Sequence, residues 1–244
     1  MVRGLITRTP PGFPVKFDLN TLKIKYPQIT RSIYNSVAMK IYHRIKRFLD
    51  LLMGAIFLIA LVPILIIISV IIKFDSPGPI MFRQFRVTKN CRLFKMYKFR
   101  TMTHEEGEFA GRSGIIYQGE TLEESNARYS RTIINDPRIT RVGKFLRQSH
   151  LDELPQLFNI VKGDISFVGP RPDVPAQQIE YEPIHWEKRH SVPAGLTGLA
   201  QIEAPVTPAE RTTLDLFYVE KANLKLDFKI LFSTVLKILK LNSF

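Results

Sequence analysis

The hydrophobic pattern along this chain has one dominant feature. From Leu51 to Ile72 no charged residue interrupts the sequence. As a helix rising 1.5 Å per residue, that stretch is long enough to cross ~30 Å of hydrocarbon. Pro63 sits near its middle, where a proline removes a backbone donor and bends a helix. Legs of ~13–18 Å on either side would be too short to span if the bend is sharp. Both flanks are basic: Lys40, Arg44, Lys46 and Arg47 before, Lys73, Arg83, Arg86, Lys89, Arg92 and Lys95 after. Positive charge at both ends favours both ends on the cytoplasmic side. A re-entrant helix-break-helix satisfies both facts, and a spanning helix satisfies the length; the residues alone leave the two open. Asp50 at the rim is expected either to pair with Lys46 or Arg47 or to lie at the interface.

Elsewhere the pattern is that of a folded domain. Residues 80–87 and 92–99 alternate apolar with basic or polar side chains, which predicts two short strands with one basic face. Residues 103–129 are acidic and weakly patterned and predict a loop. Residues 142–146 and 154–161 predict helices, the second stopped by Lys162 and Gly163. Near the end Leu226, Phe228, Leu231, Phe232, Val235, Leu236 and Leu239 recur at helical spacing, with Lys225, Lys229, Ser233, Lys237 and Lys240 opposite. Such a helix either packs on the core or lies on a membrane with its lysines toward lipid phosphate. Residues 1–40 carry Pro10, Pro11, Pro14 and Pro27 and predict an irregular basic arm suited to anionic lipid. The expected organisation is this arm, a membrane segment over 41–75, and a cytoplasmic α+β domain over 76–244.

Charge narrows the chemistry. Lys and Arg number 35 against 22 Asp and Glu, a net +13, so the chain attracts polyanions: nucleic acid, anionic lipid or phosphorylated small molecules. The single cysteine, Cys91, excludes an intrachain disulfide and a cysteine-rich zinc site. The five histidines show no metal-ligand spacing. There is no Gly-rich phosphate loop and no recognised nucleic-acid module.

Asp152 and Glu153 precede Pro155, a residue tolerated in the first turn of a helix. A helix N-terminus holds carboxylates ionised and also binds phosphate. An ionised Asp there suits a nucleophile toward phosphorus, with its neighbour holding Mg²⁺ through oxygen. The plainer reading is an N-cap and a dipole-matching Glu. Three arginines stand nearby in sequence: Arg147, Arg171 within Gly169-Pro170-Arg171-Pro172, and Arg138 in Asp136-Pro137-Arg138. Guanidinium groups bind phosphate through paired donors, although any one of them also suits a solvated surface.

Several stretches, in order, carry a resemblance: Lys46-Arg47-Phe48-Leu49-Asp50, Pro63, Lys98-Phe99-Arg100-Thr101-Met102, Asp136-Pro137-Arg138-Ile139-Thr140, Leu151-Asp152-Glu153-Leu154-Pro155-Gln156, residues 162–172, Gly195-Leu196-Thr197-Gly198-Leu199-Ala200-Gln201 and residues 214–219. From Lys46 onward the chain resembles the bacterial sugar transferase family, the monotopic phosphoglycosyl transferases, in its short form. The resemblance implies a re-entrant membrane helix broken at the proline, at the cytoplasmic face of a bacterial inner membrane. It implies transfer of a sugar-1-phosphate from a UDP-sugar to polyprenyl (undecaprenyl) phosphate, with release of UMP, as the first membrane step of a glycoconjugate pathway such as capsule, exopolysaccharide, O-antigen or glycoprotein. It maps the nucleophile onto Asp152, the Mg²⁺ ligand onto Glu153 and phosphate contacts onto Arg147 and Arg171. Lys98, Arg100, Asp136, Arg138 and Asp215 are further substrate-binding expectations, and Lys46, Arg47, Asp50 and Pro63 are the membrane residues. The expected partners are the UDP-sugar, polyprenyl phosphate and an anionic bilayer, not nucleic acid; self-association is left open, as are the sugar and the pathway.

The chain also departs from that pattern. Val62-Pro63 stands where Ser-Pro is common, Pro193-Ala194-Gly195 where Arg-Pro-Gly is, and residues 202–206 where an Asn-Gly-Arg-Asn segment is. A membrane-tethered protein that binds nucleotide-sugar without turnover is the rival reading.

Overall fold

In the computed structural model, described over residues 27–103, 136–205 and 207–241, the apolar segment lies in one helix, α1 (Pro27–Asp75). The chain divides into two compact units, residues 1–44 and 45–244. The described part of the first, residues 27–44, is entirely helical, so the arm expected to be irregular over 1–40 becomes helix at Pro27; residues 1–26 lie outside the described part. Residues 45–75 belong to the same unit as everything after them. The expected break at Pro63 is not an interruption: residues on both sides of it are helical. A proline removes one donor, and the apolar turns flanking it keep their own hydrogen bonds. Ser69 Oγ adds one more, donating to the Leu65 carbonyl at 2.7 Å.

Strands β1 (Met81–Thr88) and β2 (Arg92–Phe99), the two that the alternation predicts, form an antiparallel hairpin paired from Met81↔Phe99 to Thr88↔Arg92. The basic side chains do not share one face. Arg83 stacks over Tyr97 and Lys95 over Phe85 on one side. Arg86 and Lys98 fall on the other, with buried Gln84 and Met96, because alternate residues of a strand point oppositely.

After residues 104–135, where the predicted acidic loop lies outside the described part, come α2 (Arg141–Gln148), a 3₁₀ turn (Leu151–Glu153) and α3 (Gln156–Lys162). Thr140 caps α2 by accepting from the Gly143 amide, and Gly163, at φ 88°, ends α3 in the left-handed conformation where glycine is favoured. Strand β3 (Ser166–Val168) pairs in parallel with β4 (Gly195–Thr197). Between them lie a 3₁₀ stretch (Pro175–Glu180) and α4 (Pro183–Arg189). Helices α5 (Leu199–Glu203), α6 (Pro208–Lys221) and α7 (Leu224–Leu241) follow. The mixture of helices and small sheets agrees with the α+β expectation at that level.

One core cluster positions the site. Ile68 and Ile72 of α1 pack with Phe99 of β2 and Leu146 of α2; Leu65, Val142, Leu151 and Leu154 lean against them. Burying Ile72, 2% exposed, contributes on the order of 1.5–3 kcal/mol. Leu151 and Leu154 bracket Asp152 and Glu153, so burial of this pair of leucines holds the carboxylate turn against the apolar helix.

Helix α7 packs on the core along one side, as one of the two sequence readings expects. Asp227 and Ile230 are buried, Thr234 Oγ1 meets Thr197 Oγ1 at 2.9 Å, and Lys237 Nζ donates to the carbonyls of Gln201 and Ile202. Phe228, Phe232, Val235 and Leu239 are exposed on its other side. Exposed large apolars also run along α1, among them Ile59 at 74% and Phe74 at 88%.

Candidate active site

Asp152 and Glu153 do not stand at a helix N-terminus. His150, at φ 58° and ψ 13°, reverses the chain into the 3₁₀ turn Leu151–Glu153, and Pro155 separates that turn from α3. Side chains rather than a helix dipole therefore set the local charge. Glu153 forms an ion pair with Lys98, which reaches it from β2. Burial pushes the Glu153 carboxyl up, but Lys98, by charge and hydrogen bond, and Arg171 outweigh it and hold the group below its ordinary range. Asp152 is 9% exposed. Burial, and then the charge of Glu153, raise its pKa against Lys98, Arg147 and His150. The two neighbours are thus driven in opposite directions, an arrangement common at functional carboxylates.

A small open pocket lies beside this turn; Lys98, Glu153, Gln156, Arg171 and Gln201 are on its wall, and Asp152 is not. Arg171 is exposed, yet its backbone is held from several sides. The Gly169 amide donates to the Thr197 carbonyl at 2.9 Å and the Gly195 amide to Pro170 O at 2.8 Å. Arg189 donates to Arg171 O at 2.7 Å, Arg86 to Pro172 O at 3.0 Å. The approach is so close that a Cβ on Gly195 would stand 2.1 Å from the Gly169 nitrogen, which demands glycine at both positions. A fixed backbone narrows where the Arg171 guanidinium can reach.

Arg147 Nε donates to Thr101 Oγ1 at 2.8 Å, and burial lowers its pKa against the charges of Asp152 and Asp136. Asp136 and Arg138 grip each other: Nε and Nη2 of Arg138 donate to the two carboxylate oxygens at 2.9 and 2.6 Å. The Arg138 hydrogen bond is the main cause that lowers the Asp136 pKa to about 2. The electrostatic neighbourhood thus joins Asp136, Arg138, Arg147, Asp152, Glu153, Lys98 and Arg171.

Two expected substrate-binding residues have other partners. Arg100 turns away and donates to the carbonyls of Pro77, Ile72 and Ser76, at 2.9, 3.3 and 2.7 Å. It caps the C-terminal end of α1, whose last carbonyls have no helical partners of their own. Asp215 is 1% exposed and accepts from Arg189 Nε at 2.8 Å, inside an ion cluster with Asp173 and Arg211. Burial raises its pKa against Arg189. This cluster braces the Arg171 loop from behind; nothing in the spacing of Asp173, Arg189 and Arg211 marks it.

The rim residues bind protein as well. Lys46 pairs with Asp227 of α7 at 2.8 Å, not with Asp50. Asp50 accepts from the Phe167 amide at 3.1 Å, and Arg47 donates to the carbonyls of Ile160 and Val161 at the end of α3.

For a metal, the donor set is two carboxylates. Among the described residues no group of three or more His, Cys, Asp or Glu converges. That does not suit an all-protein cage, but it fits Mg²⁺, which is usually held by one or two carboxylates with water and substrate phosphates completing the shell.

Comparison with known proteins identifies the family. Residues 41–241 match the bacterial sugar transferase family. An exopolysaccharide production protein, PSS, of Rhizobium leguminosarum bv. phaseoli is 36% identical over 203 residues, covering 78% of this chain and 93% of that protein. A UDP-glucose:undecaprenyl-phosphate glucose-1-phosphate transferase of Xanthomonas campestris pv. campestris is 38% identical over 78% of this chain and 38% of its own length. One of the same name from Klebsiella pneumoniae is 33% identical over 92% of this chain and 47% of its own. The chain therefore spans less than half of either transferase. Its match across most of residues 41–241, with the carboxylate turn and the Arg171 loop inside the matched range, places it in the bacterial sugar transferase family.

Proposed function

We propose that this protein is a phosphoglycosyl transferase that moves a sugar-1-phosphate from a UDP-sugar to undecaprenyl phosphate in the assembly of a bacterial exopolysaccharide or related glycoconjugate. The observation that carries the reading is a buried aspartate in the electrostatic reach of Arg147, Lys98 and a Lys98-paired glutamate, with that glutamate, Lys98 and Arg171 on the wall of one pocket. The names of the relatives are consistent with it.

In the first step a carboxylate oxygen of Asp152 attacks the phosphorus that bears the sugar. The bond from that phosphorus to the UMP oxygen breaks, and UMP departs with the electron pair. In the second step an oxygen of the lipid phosphate attacks the same phosphorus and releases the Asp152 carboxylate. Splitting the transfer lets a soluble and a lipid substrate use one nucleophile in turn. Arg147 and Arg171 steady phosphate oxygens through paired donors. Lys98 fixes the Glu153 carboxylate. Bound Mg²⁺ would neutralise diphosphate charge, and Glu153, with Asp152 beside it, is the group to hold it.

The membrane reading is re-entrant. Its support is that both ends of the apolar stretch dock on the same unit: Arg47 and Phe57 on α3 and Phe167, Ile68 and Ile72 on Phe99 and Leu146. Exposed apolar residues of α1 and α7 would meet lipid, and the net positive charge would favour an anionic, cytoplasmic leaflet. The test is UMP release by purified protein from a panel of UDP-sugars with undecaprenyl phosphate. Release that depends on Asp152 and the lipid supports the reading. Binding of nucleotide-sugar without any UMP release leaves a non-catalytic tether instead.

A further inference from the structure

One residue of the pocket wall carries an acceptor that the transfer chemistry does not use. Gln201, on the short helix α5, lines the pocket that also contains Lys98, Glu153 and Arg171. Its Nε2 donates to the Leu196 carbonyl at 3.3 Å, which fixes the sense of the amide, since a reversed amide would set two oxygens against each other. Its Oε1 is buried and has no hydrogen-bond partner. Leaving a buried carbonyl oxygen unpaired costs about 1–3 kcal/mol, so an unpaired acceptor on a residue that lines the pocket points to a donor that arrives with a ligand. The surrounding chain makes room for this oxygen. A Cβ on Gly198 would lie 2.6 Å from it. The helix is braced from outside by Lys237 of α7, which donates to the Gln201 and Ile202 carbonyls at 3.2 Å each.

We infer that Gln201 is a specificity-determining residue whose Oε1 accepts a hydrogen bond from an N–H or O–H of the nucleotide-sugar, away from its phosphates. The phosphates themselves are excluded as the partner, because ionised phosphate oxygens only accept, as Oε1 does. The donor belongs either to the nucleoside or to the transferred sugar, and both present such groups.

This inference rests on the nucleotide-sugar reading, and the experiment separates the two. Wild type and Gln201→Met, which keeps the side-chain length but removes the acceptor, are compared for UMP affinity and for KM and kcat with the preferred UDP-sugar. The inference expects ligand binding three- to tenfold weaker, on the order of one lost hydrogen bond, with kcat much less changed. Weakening of both UMP and UDP-sugar assigns the donor to the nucleoside; weakening of UDP-sugar alone assigns it to the sugar. Unchanged affinity for both, in a variant that melts like the wild type, overturns the inference while leaving the transferase intact. Absence of UMP release by the wild type overturns the functional reading instead. Should Gln201→Met fail to fold, wild-type protein is titrated with ligands that lack one donor at a time, beginning with N3-methylated UMP and deoxygenated UDP-sugars. If every such ligand binds like its parent, the inference falls.

Discussion

Replacing Arg189 with Met should be among the most damaging single changes in this protein outside the reacting groups. The guanidinium is 1% exposed and lies between two carboxylates that are equally inaccessible, Asp173 and Asp215. Burial alone would lower its pKa; the two carboxylates overcome that and raise it. Removing one partner from a buried ion pair leaves uncompensated charge and costs about 3–5 kcal/mol. Asp173 retains Arg211 at 3.1 Å, so the cost falls mainly on Asp215, and the lost donation to Arg171 O adds about 1 kcal/mol. For a chain of this size 1 kcal/mol corresponds to about 2–4 °C, so the melting temperature in detergent or nanodiscs should drop by roughly 8–24 °C. The sign of the pH dependence follows from Asp215. Its folded pKa, already raised, rises further without Arg189. A raised carboxyl stabilises the fold below its unfolded pKa and loses that benefit as pH climbs to the folded value. The variant should therefore recover part of its deficit as pH falls from 7 toward 4, and Asp215→Asn should rescue it at neutral pH by removing the stranded charge. A deficit under about 0.5 kcal/mol, or no rescue by Asp215→Asn, would refute the reasoning.

Other outcomes follow from single residues. Arg100→Leu should lower stability by about 2 kcal/mol through loss of the α1 cap while leaving the KM for UDP-sugar within twofold, measured by melting and steady-state kinetics; a large KM rise would restore it as a substrate residue. Ala204 ends α5 at φ 48° and ψ 59°, so Ala204→Gly should raise stability by about 1 kcal/mol in the same melts. Asp136 has its pKa depressed to about 2, so its contribution is present above the unfolded value near 4 and lost as pH falls toward 2. The gap in melting temperature between wild type and Asp136→Asn should accordingly be widest near neutral pH and close below pH 4.

Local physics made part of this structure readable in the chain. Alternation at residues 80–99 was enough for the two strands, though not for their pairing, because a strand's period is two and its inner residues Gln84, Phe94 and Met96 must pack. Lys162-Gly163 marked the end of α3, and the Asp152-Glu153 pair stood out by its place before Pro155. The partners of individual arginines were not readable. Arg100 and Arg171 look alike in sequence, yet one caps a helix while the other lines the pocket, because tertiary approach decides which carbonyl or carboxylate each meets. The Arg189 cluster draws on residues 173, 189, 211 and 215, with no periodicity to link them. At Pro63 one missing donor left the helical run unbroken, and the segments before and after it both pack on the same unit.

The central claim is that Asp152 forms a covalent bond to the sugar phosphate, and intact-protein mass spectrometry tests it most directly. Purified protein is mixed with its preferred UDP-sugar in the absence of undecaprenyl phosphate and quenched in acid. The account predicts a mass increase equal to one phosphosugar, mapped by peptide analysis to Asp152, discharged on adding the lipid and absent in Asp152→Asn. UMP release at a normal rate with no adduct on that peptide, or an Asp152→Asn variant that turns over like the wild type, would contradict it.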